Sequence, residues 1–286
     1  YYTPPTGFLA LCTSNLPDVA VVPSENFNTV LFTGNGSTQT VTGTGFQPDW
    51  VWNKSRNTTH GHALFDAVRG GTRRLASEST QEERTNEGNI AFTSDGFNVT
   101  ASHPTVNNNN SPMVSWNWKA GNATLGTGDF TQGSTASTCS RNVDAGFSIV
   151  SYTGNGSAGA TIGHGLNSIP EMIFLKSRTS SIAWGGQNAT TGATKNLFLN
   201  QTDAAESNIL YWNNTAPTTN VFSLGASHVV NKSSDNYIAY CFHSVDGYSK
   251  VGTYSGNGNA DGTFVYTGFR PAFVLCKRTD GGDSWI

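Results

Sequence analysis

The sequence of 286 residues predicts an all-β protein made of tandem antiparallel β-sandwich repeats. A short cassette of residues occurs three times along the chain. Short runs of alternating apolar residues are separated by turns rich in Gly and Asn, which is typical of β-sandwiches. Charged residues make up only 12% of the chain while aromatic residues reach 11%, so the chain can fill compact cores and does not have a disordered composition.

Each cassette contains a T/S-G-N-G turn, then G-F or G-L, a proline, an apolar strand and a basic pair. The turns start at Thr33, Thr153 and Ser255, and the proline follows 15, 17 and 16 residues later. The copies therefore begin 120 and then 102 residues apart, which is the size of a domain and longer than a solenoid repeat. Because Asn and Gly both tolerate positive φ, the Asn-Gly pair predicts a β-hairpin after the first strand.

These repeats divide the chain into five segments. The predicted segments are an extended arm or linker (1–26), a first repeat (27–122), a linker rich in Gly, Ser and Thr (123–146), a second repeat (147–249) and the start of an incomplete third repeat (250–286). The first residues lack a Met and a signal-peptide pattern, and we expect the chain to be a processed or partial segment of a longer protein.

Within the repeats, period-two patterns predict the strands in order. In the first repeat they fall at 27–32, 50–53, 90–92, 96–99 and 113–118, with a hairpin across 93–95, a loop or single helical turn at 76–89 and a surface loop at 107–110. In the second repeat they fall at 147–152, 172–175, 197–199, 221–224 and 237–242, and in the third at 250–254 and 272–276.

Paired tryptophans are candidate sugar platforms, since alternate residues of a strand share a face. Trp50 and Trp52 form one pair, and Trp116 and Trp118 form another. Other large apolar residues stand at the matching positions of the other repeats, which is typical of core. Trp184 and Trp212 lie in loop-like stretches and are the better candidates for exposed ligand contacts.

Metal and catalytic sites have little support. His60, His62 and Asp66 could bind a metal, but residues 180–188 of the second repeat contain no His or carboxylate. Asp66 and Arg69 are better explained as a structural ion pair. The chain lacks a G-x-S-x-G motif, a P-loop and a dinucleotide-binding fingerprint, and the glutamates of the 78–87 stretch are expected to be solvated. We therefore predict no enzymatic activity, no cofactor and no metal.

Charge and hydropathy argue against nucleic-acid and membrane partners. A net charge of −3 without a basic patch argues against nucleic acid, and no apolar run is long enough to insert into a membrane.

The four cysteines form no C-x-x-C pair, and buried thiols explain them better than disulfides. If the chain is secreted, Asn57, Asn122, Asn188 and Asn213 are candidate glycosylation sites, whereas Asn35 and Asn155 are better explained as turn residues.

The motifs G-F-x-P-D-x-V-W-x-K-x-R (45–56), H-x-L-F-D-x-V-R-G (62–70), S-D-G-F (94–97) and W-x-W-K-A (116–120) resemble a repeat module of tail-fibre-like structural proteins of bacteriophages. Residues 2–17 resemble the junction that follows a SPRY-type domain in such proteins. The resemblance implies a concanavalin-like (jelly-roll) sandwich and a place in a virion, with no catalytic residues to carry over. The second repeat departs from the pattern by losing D-x-V-R-G.

We therefore expect a structural or adhesive component of a phage virion, either a tail fibre or another surface appendage, with host glycans as candidate ligands. Expected partners are further copies of the chain or other virion or filament subunits. A second interpretation is a subunit of a secreted microbial surface filament assembled by inter-chain strand addition. A third is a carbohydrate-binding, lectin-like module. All three place the protein in a virion or outside the cell.

Overall fold

The computed structural model describes residues 21–100 and 103–286. Every pair of neighbouring strands in its sheets is antiparallel, and the few helices are single turns, so the prediction of tandem antiparallel sandwiches is confirmed. The predicted junction at residues 2–17, most of the predicted arm and Cys12 lie outside the described residues. Among the described residues, no helix has the length and apolar character needed to span a bilayer.

Copy 1 (residues 27–122) is a sandwich of a four-stranded and a three-stranded sheet, with a small ribbon beside them. The larger sheet has the order β1-β9-β3-β4, the smaller has the order β2-β8-β7, and β5 pairs with β6. The strands are β1 (Phe27–Thr33), β2 (Gln39–Thr42), β3 (Trp50–Ser55), β4 (Ala63–Asp66), β5 (Arg73–Arg74), β6 (Arg84–Thr85), β7 (Ile90–Thr93), β8 (Gly96–Val99) and β9 (Pro112–Trp118).

Copy 2 (residues 147–249) repeats this plan with a wider main sheet of order β10-β11-β18-β13-β14-β15-β16, faced by β12 and β17. The strands are β10 (Ser137–Asn142), β11 (Phe147–Thr153), β12 (Ala160–Gly163), β13 (Met172–Ser177), β14 (Gly185–Asn188), β15 (Lys195–Phe198), β16 (Glu206–Ser207), β17 (Val221–Leu224) and β18 (Asn236–Phe242). Because β10 pairs along its length with β11, the segment predicted as a linker supplies an edge strand of this sheet.

Three one-turn helices complete the two copies, α1 (Pro104–Asn107), α2 (Ile209–Trp212) and α3 (His228–Asn231). The prediction of a surface loop at 107–110 is wrong at its first residue, because Asn107 ends α1 and is fully buried. The hairpin predicted across 93–95 is confirmed by the pairing of Thr93 with Gly96. Residues 76–89 contain the short strand β6 and no helix.

Alternation along the central strands separates two kinds of core. In β3, Val51 points into copy 1's own sandwich with Phe65 and Phe97, whereas Trp50 and Trp52 point to the opposite face. In copy 2, Ile173 and Leu175 likewise lie in the sandwich's own core, while Phe174 points away from it. Each main sheet is therefore apolar on both faces.

The opposite faces of the two main sheets pack against each other in a shared aromatic core. Trp50 of copy 1 stacks on Tyr240 of copy 2 with ring centroids 4.3 Å apart, and lies 5.8 Å from Phe147. Trp50, Trp52 and Trp118 are all buried, so the sequence-based assignment of these tryptophans to core is confirmed. The core that they fill lies between the copies.

The T/S-G-N-G turn is a corner between two sheets, so the prediction of a hairpin is wrong. β1 pairs with β9, whereas β2 pairs with β8 in the other sheet. Asn107 stabilises the corner: its side-chain oxygen accepts from the Asn35 N–H at 2.9 Å, and its amide donates to Asn35 Oδ1 at 3.1 Å.

Of the two glycines in this turn of copy 1, only the second, Gly36, has a positive φ, at 69°. A Cβ at Gly34 would lie 2.1 Å from the carbonyl oxygen of Asn108, so that position needs glycine for close approach.

Copy 3 (residues 250–286) contains no assigned helix or strand, although all of its residues are described. The predicted strands at 250–254 and 272–276 are therefore wrong. In copies 1 and 2 the equivalent strands both pair with a central strand, β9 or β18, and no strand of the described residues takes that place in copy 3. Its apolar side chains nevertheless follow the same alternation: Phe273 and Leu275 pack against the shared core, while Val274 is 63% exposed.

Candidate functional site

The contact between copies 1 and 2, here called joint 1–2, contains a buried network of charged groups. Arg69 Nε donates to Asp66 Oδ2 at 2.5 Å, and both side chains are fully buried. Arg69 also donates to Tyr240 Oη of copy 2 at 3.2 Å, and that hydroxyl donates to Asp66 Oδ2 at 2.7 Å. The predicted ion pair is confirmed, and it forms a bridge between the two copies.

Glu83 extends the network to a second arginine. Its Oε2 lies 3.2 Å from Arg69 of copy 1 and 2.8 Å from Arg178 of copy 2. The side chain is only 6% exposed, so the prediction that this glutamate is solvated is wrong. One sequence signal for this network is the D-x-V-R-G motif, which is present in copy 1 and absent from copy 2.

The pKa values of this network follow from its burial and pairing. Burial opposes charge on Arg69 and Glu83. The opposite charges outweigh it, so the pKa of Arg69 is raised and the pKa of Glu83 is lowered. Burial also raises the pKa of Tyr240 well above its usual value, so the hydroxyl stays protonated and donates a hydrogen bond to Asp66.

Two further hydrogen bonds cross joint 1–2. The indole Nε1 of Trp184 donates to the Ala76 carbonyl at 2.9 Å, and the Glu83 N–H donates to the Arg178 carbonyl at 2.9 Å. Copy 1 thus supplies a segment outside its strands, 76–83, whose two ends are bound by copy 2. We call this segment the strap of copy 1.

The same pair of hydrogen bonds joins copies 2 and 3. Trp285 Nε1 donates to the Phe198 carbonyl at 2.8 Å, and the Ala205 N–H donates to the Thr279 carbonyl at 2.9 Å. Residues 198–205, the strap of copy 2, have the same length as residues 76–83. In both joints the carbonyl that accepts from the strap, at Arg178 or Thr279, precedes the tryptophan by six residues. The joint is therefore a repeated structural unit, like the cassette.

Copy 3 closes over the shared core and contacts copy 1 as well. Phe273 lies 5.6 Å from Trp116 and 5.4 Å from Trp118 between ring centroids, and Trp285 lies 5.7 Å from Phe174. All three copies thus meet around one aromatic centre. Between copies 3 and 1, beside the strap of copy 2, a groove of about 480 Å³ remains, lined among others by Trp52, His62, Trp116, Gln201, Phe273 and Trp285.

The comparison with known families covers nearly the whole of this architecture. A family model described as Domain of unknown function (DUF7483) matches residues 22–286. The chain belongs to this family. No curated protein and no solved structure shows significant similarity to the chain. The matched DUF7483 region includes all three copies and both joints.

Trp184 and Trp212, predicted as exposed ligand contacts of the DUF7483 domain, are both fully buried, so the prediction of exposure is wrong. Trp184 is covered because its indole spans joint 1–2, a contact between distant segments that local sequence does not reveal. Trp212 ends α2, which packs on the sandwich core of copy 2. Neither indole presents a face to solvent.

The four candidate glycosylation sites of the DUF7483 domain differ in exposure. Asn57 and Asn122 are exposed, and Asn213 is half-buried with a left-handed backbone at the end of α2. Asn188 is buried, and its side-chain oxygen accepts from the Thr190 N–H at 2.9 Å. The prediction that Asn188 is accessible for glycosylation is therefore wrong, because its side chain is buried and stabilises a turn. The turn roles predicted for Asn35 and Asn155 are confirmed, since each accepts from the N–H two residues ahead at 2.9 Å.

His62 and Asp66, considered as metal ligands from the sequence but not favoured, have other partners in the DUF7483 domain. His62 Nδ1 accepts from Trp52 Nε1 at 2.7 Å, while Asp66 bonds Arg69 and Tyr240. Among the described residues no group of three His, Cys, Asp or Glu side chains could hold a metal ion. Cys139, Cys241 and Cys276, the cysteines that the structure describes, are free thiols, and burial raises the pKa of Cys139 to about 12.

Proposed function

We propose that the chain is a non-enzymatic structural component of an extracellular assembly, and specifically of a phage virion, as a tail fibre or a related surface appendage. The single observation that supports this most is the repeated joint. Two hydrogen bonds with the same donors, acceptors and spacing bind copy 1 to copy 2 and copy 2 to copy 3. Such a joint makes successive copies into one stiff body, which a load-bearing appendage requires.

The composition supports the same proposal. The surface has few charges and many hydroxyl and amide groups, which suits a protein that persists in variable salt outside a cell, because exposed ion pairs weaken as salt rises. The charges of joint 1–2 are buried, and salt screens buried pairs much less. Glycans of a host surface are candidate ligands for this hydroxyl- and amide-rich surface.

The test is an image of the native particle. Antibody against the purified chain, bound to particles from the source of the sequence and viewed by electron microscopy, should label tails or surface appendages of virions. Labelling of free filaments without virions would favour the secreted-filament interpretation. Labelling of neither structure would contradict a structural role in an assembly.

The lectin-like interpretation has one specific observation in its favour. The groove between copies 3 and 1 places Trp116 and Phe273, both partly exposed, beside the polar side chains of His62 and Gln201. Aromatic faces beside hydrogen-bonding groups are suited to sugar rings. A glycan array with the wild-type chain and Trp116→Ala tests it: a saccharide signal that the substitution removes would support a lectin, and an empty array would exclude it for the sugars displayed.

A further inference from the structure

We propose that the surface of copy 1 around Arg56, His62 and Trp116 is an interaction surface for one further repeat of this type, which docks through a segment equivalent to the strap 198–205. The partner is a polypeptide segment of eight residues, like 198–205, that begins with apolar residues. This inference concerns how repeats associate and does not depend on the protein being part of a virion.

The proposal starts from equivalent positions. In copies 2 and 3 the strap-binding groups are the carbonyls of Arg178 and Thr279 and the indoles of Trp184 and Trp285. These positions lie two and eight residues after Lys176 and Lys277. Counted from Lys54 in copy 1, the same positions are Arg56 and His62. Copy 1 thus carries both positions at the same spacing.

Among the described residues, the carbonyl at the first of these positions in copy 1 lacks the hydrogen bond that its counterparts accept. The Arg178 carbonyl accepts from Glu83 and the Thr279 carbonyl accepts from Ala205, but no N–H of the described residues donates to the Arg56 carbonyl. Arg56 is exposed and Trp116 is half-buried. Tyr240 of copy 2 is equivalent in position to Trp116 of copy 1. It accepts a hydrogen bond from Arg69 and is fully buried.

His62 can replace the tryptophan as a donor. Its Nδ1 accepts from Trp52 Nε1 at 2.7 Å, so in the neutral ring the proton is on Nε2. Burial lowers the pKa of His62, which favours that neutral ring. Nε2–H is then directed away from Trp52 and is available to a carbonyl, in the role that Nε1–H of Trp184 and Trp285 performs.

The groove beside His62 has the size and lining that the apolar start of a strap requires. Its volume of about 480 Å³ is about three times the roughly 150 Å³ that holds one benzene in an apolar cavity. Trp52 and Trp116 line it from copy 1, Leu199 lines it from copy 2, and Phe273 and Trp285 line it from copy 3. In the strap of copy 2, Phe198 and Leu199 are both buried, and Leu197 before it is buried too. A repeat segment of that type supplies the side chains to fill the groove.

The experiment measures binding of a labelled peptide of residues 195–206 to the purified chain by fluorescence anisotropy. We expect saturable binding that His62→Ala and Trp116→Ala each weaken at least tenfold and that His62→Trp preserves. The control peptide replaces Leu197 and Leu199 with Ser and should not bind. The control variant His228→Ala changes an exposed histidine that does not line the groove and should bind the peptide like the wild type.

Three results would overturn the proposal. The first is no saturable binding to either wild type or His62→Trp, both folded by circular dichroism. The second is binding that His62→Ala and Trp116→Ala leave unchanged. The third is a concentration-dependent dimer of the chain, lost in both alanine variants, since that would assign the surface to a second copy of the whole chain.

Discussion

At the scale of single residues, the buried charges of joint 1–2 are the feature with the largest energetic consequence. Arg69 neutralises Asp66 and Glu83 and also bonds Tyr240, with no solvent exposure of its own side chain. A buried pair of this kind adds little net stability compared with apolar residues of the same volume, but removing one member leaves an uncompensated charge. We therefore expect the network to determine which surfaces of copies 1 and 2 pack together, more than to add stability.

Arg69→Met should lower the free energy of unfolding by about 3–5 kcal/mol, because it leaves Asp66 and Glu83 buried without their shared cation. Urea denaturation of the two proteins measures the difference. Arg56→Met is the matched control, since Arg56 is an exposed arginine of the same copy, and it should stay within about 0.5 kcal/mol of wild type. Equal effects of the two substitutions would show that the network is not buried as described.

Acid should weaken the domain through Glu83. Its pKa in the folded chain lies below the ordinary value of 4.5, because Arg178 and Arg69 outweigh the effect of burial. A carboxyl with a depressed pKa stabilises the fold above its unfolded pKa, and this contribution is lost as the pH falls through the folded pKa. The melting temperature should therefore fall steeply below about pH 4.5, and less steeply in Glu83→Gln than in wild type or in the exposed-site control Glu25→Gln. An unchanged slope in Glu83→Gln would contradict this role.

At the scale of elements, two devices recur in copies 1 and 2 and account for the cassette. The first is the corner at T/S-G-N-G, which Asn107 fixes in copy 1 and Asn231 fixes in copy 2 through equivalent hydrogen bonds. The second is the lysine at the next-to-last position of β3 and of β13. Lys54 and Lys176 each donate to the carbonyls one and four residues ahead, which shapes the loop that follows. Burial lowers the pKa of Lys176 to about 8.

Asn231→Ala should cost at least about 2 kcal/mol, since it leaves the Asn155 N–H and the Gly225 carbonyl without a hydrogen-bond partner among the described residues and each unpaired buried group costs about 1–3 kcal/mol. Hydrogen exchange of the Asn155 amide measures the local effect and should become faster. Asn220→Ala, at an exposed asparagine of the same copy, should leave that amide protected. Unchanged exchange in Asn231→Ala would contradict the role of the corner.

Much of the element structure follows from local sequence. The strands of copies 1 and 2 and the 93–95 hairpin carry period-two patterns, and those patterns depend only on neighbouring residues. The corner was missed because Asn-Gly also fits a tight hairpin, and its true partner, Asn107, lies 72 residues away. Trp184 and Glu83 were misplaced for the same reason: both are covered by the other copy, and nothing in their own segments indicates it.

At the scale of the whole molecule, the copies depend on the shared core. Among the described residues, eight buried apolar side chains form the core of copy 1's own sandwich, whereas thirteen form the core between the copies. Six of the thirteen belong to copy 1, so a large part of its apolar burial depends on its neighbours. Copy 2 has nineteen buried residues in its own core, so copy 1 is the copy that depends on the joint, and we expect it to unfold together with copy 2.

Trp184→Phe tests the joint itself. It removes the indole N–H that bonds the Ala76 carbonyl and keeps most of the apolar volume. Trp212→Phe is the matched control, because Trp212 is also fully buried and its indole N–H has no partner among the described residues. Chemical denaturation should show Trp184→Phe to be about 1–2 kcal/mol less stable than Trp212→Phe, the cost of one unpaired buried carbonyl. Equal stability of the two variants would contradict the hydrogen bond across the joint.

Differential scanning calorimetry of the whole chain tests the shared core most directly. If the copies form one body, unfolding is a single transition whose calorimetric enthalpy equals its van't Hoff enthalpy. Two separate transitions, or a calorimetric enthalpy close to twice the van't Hoff value, would show that copies 1 and 2 unfold independently and would contradict this account.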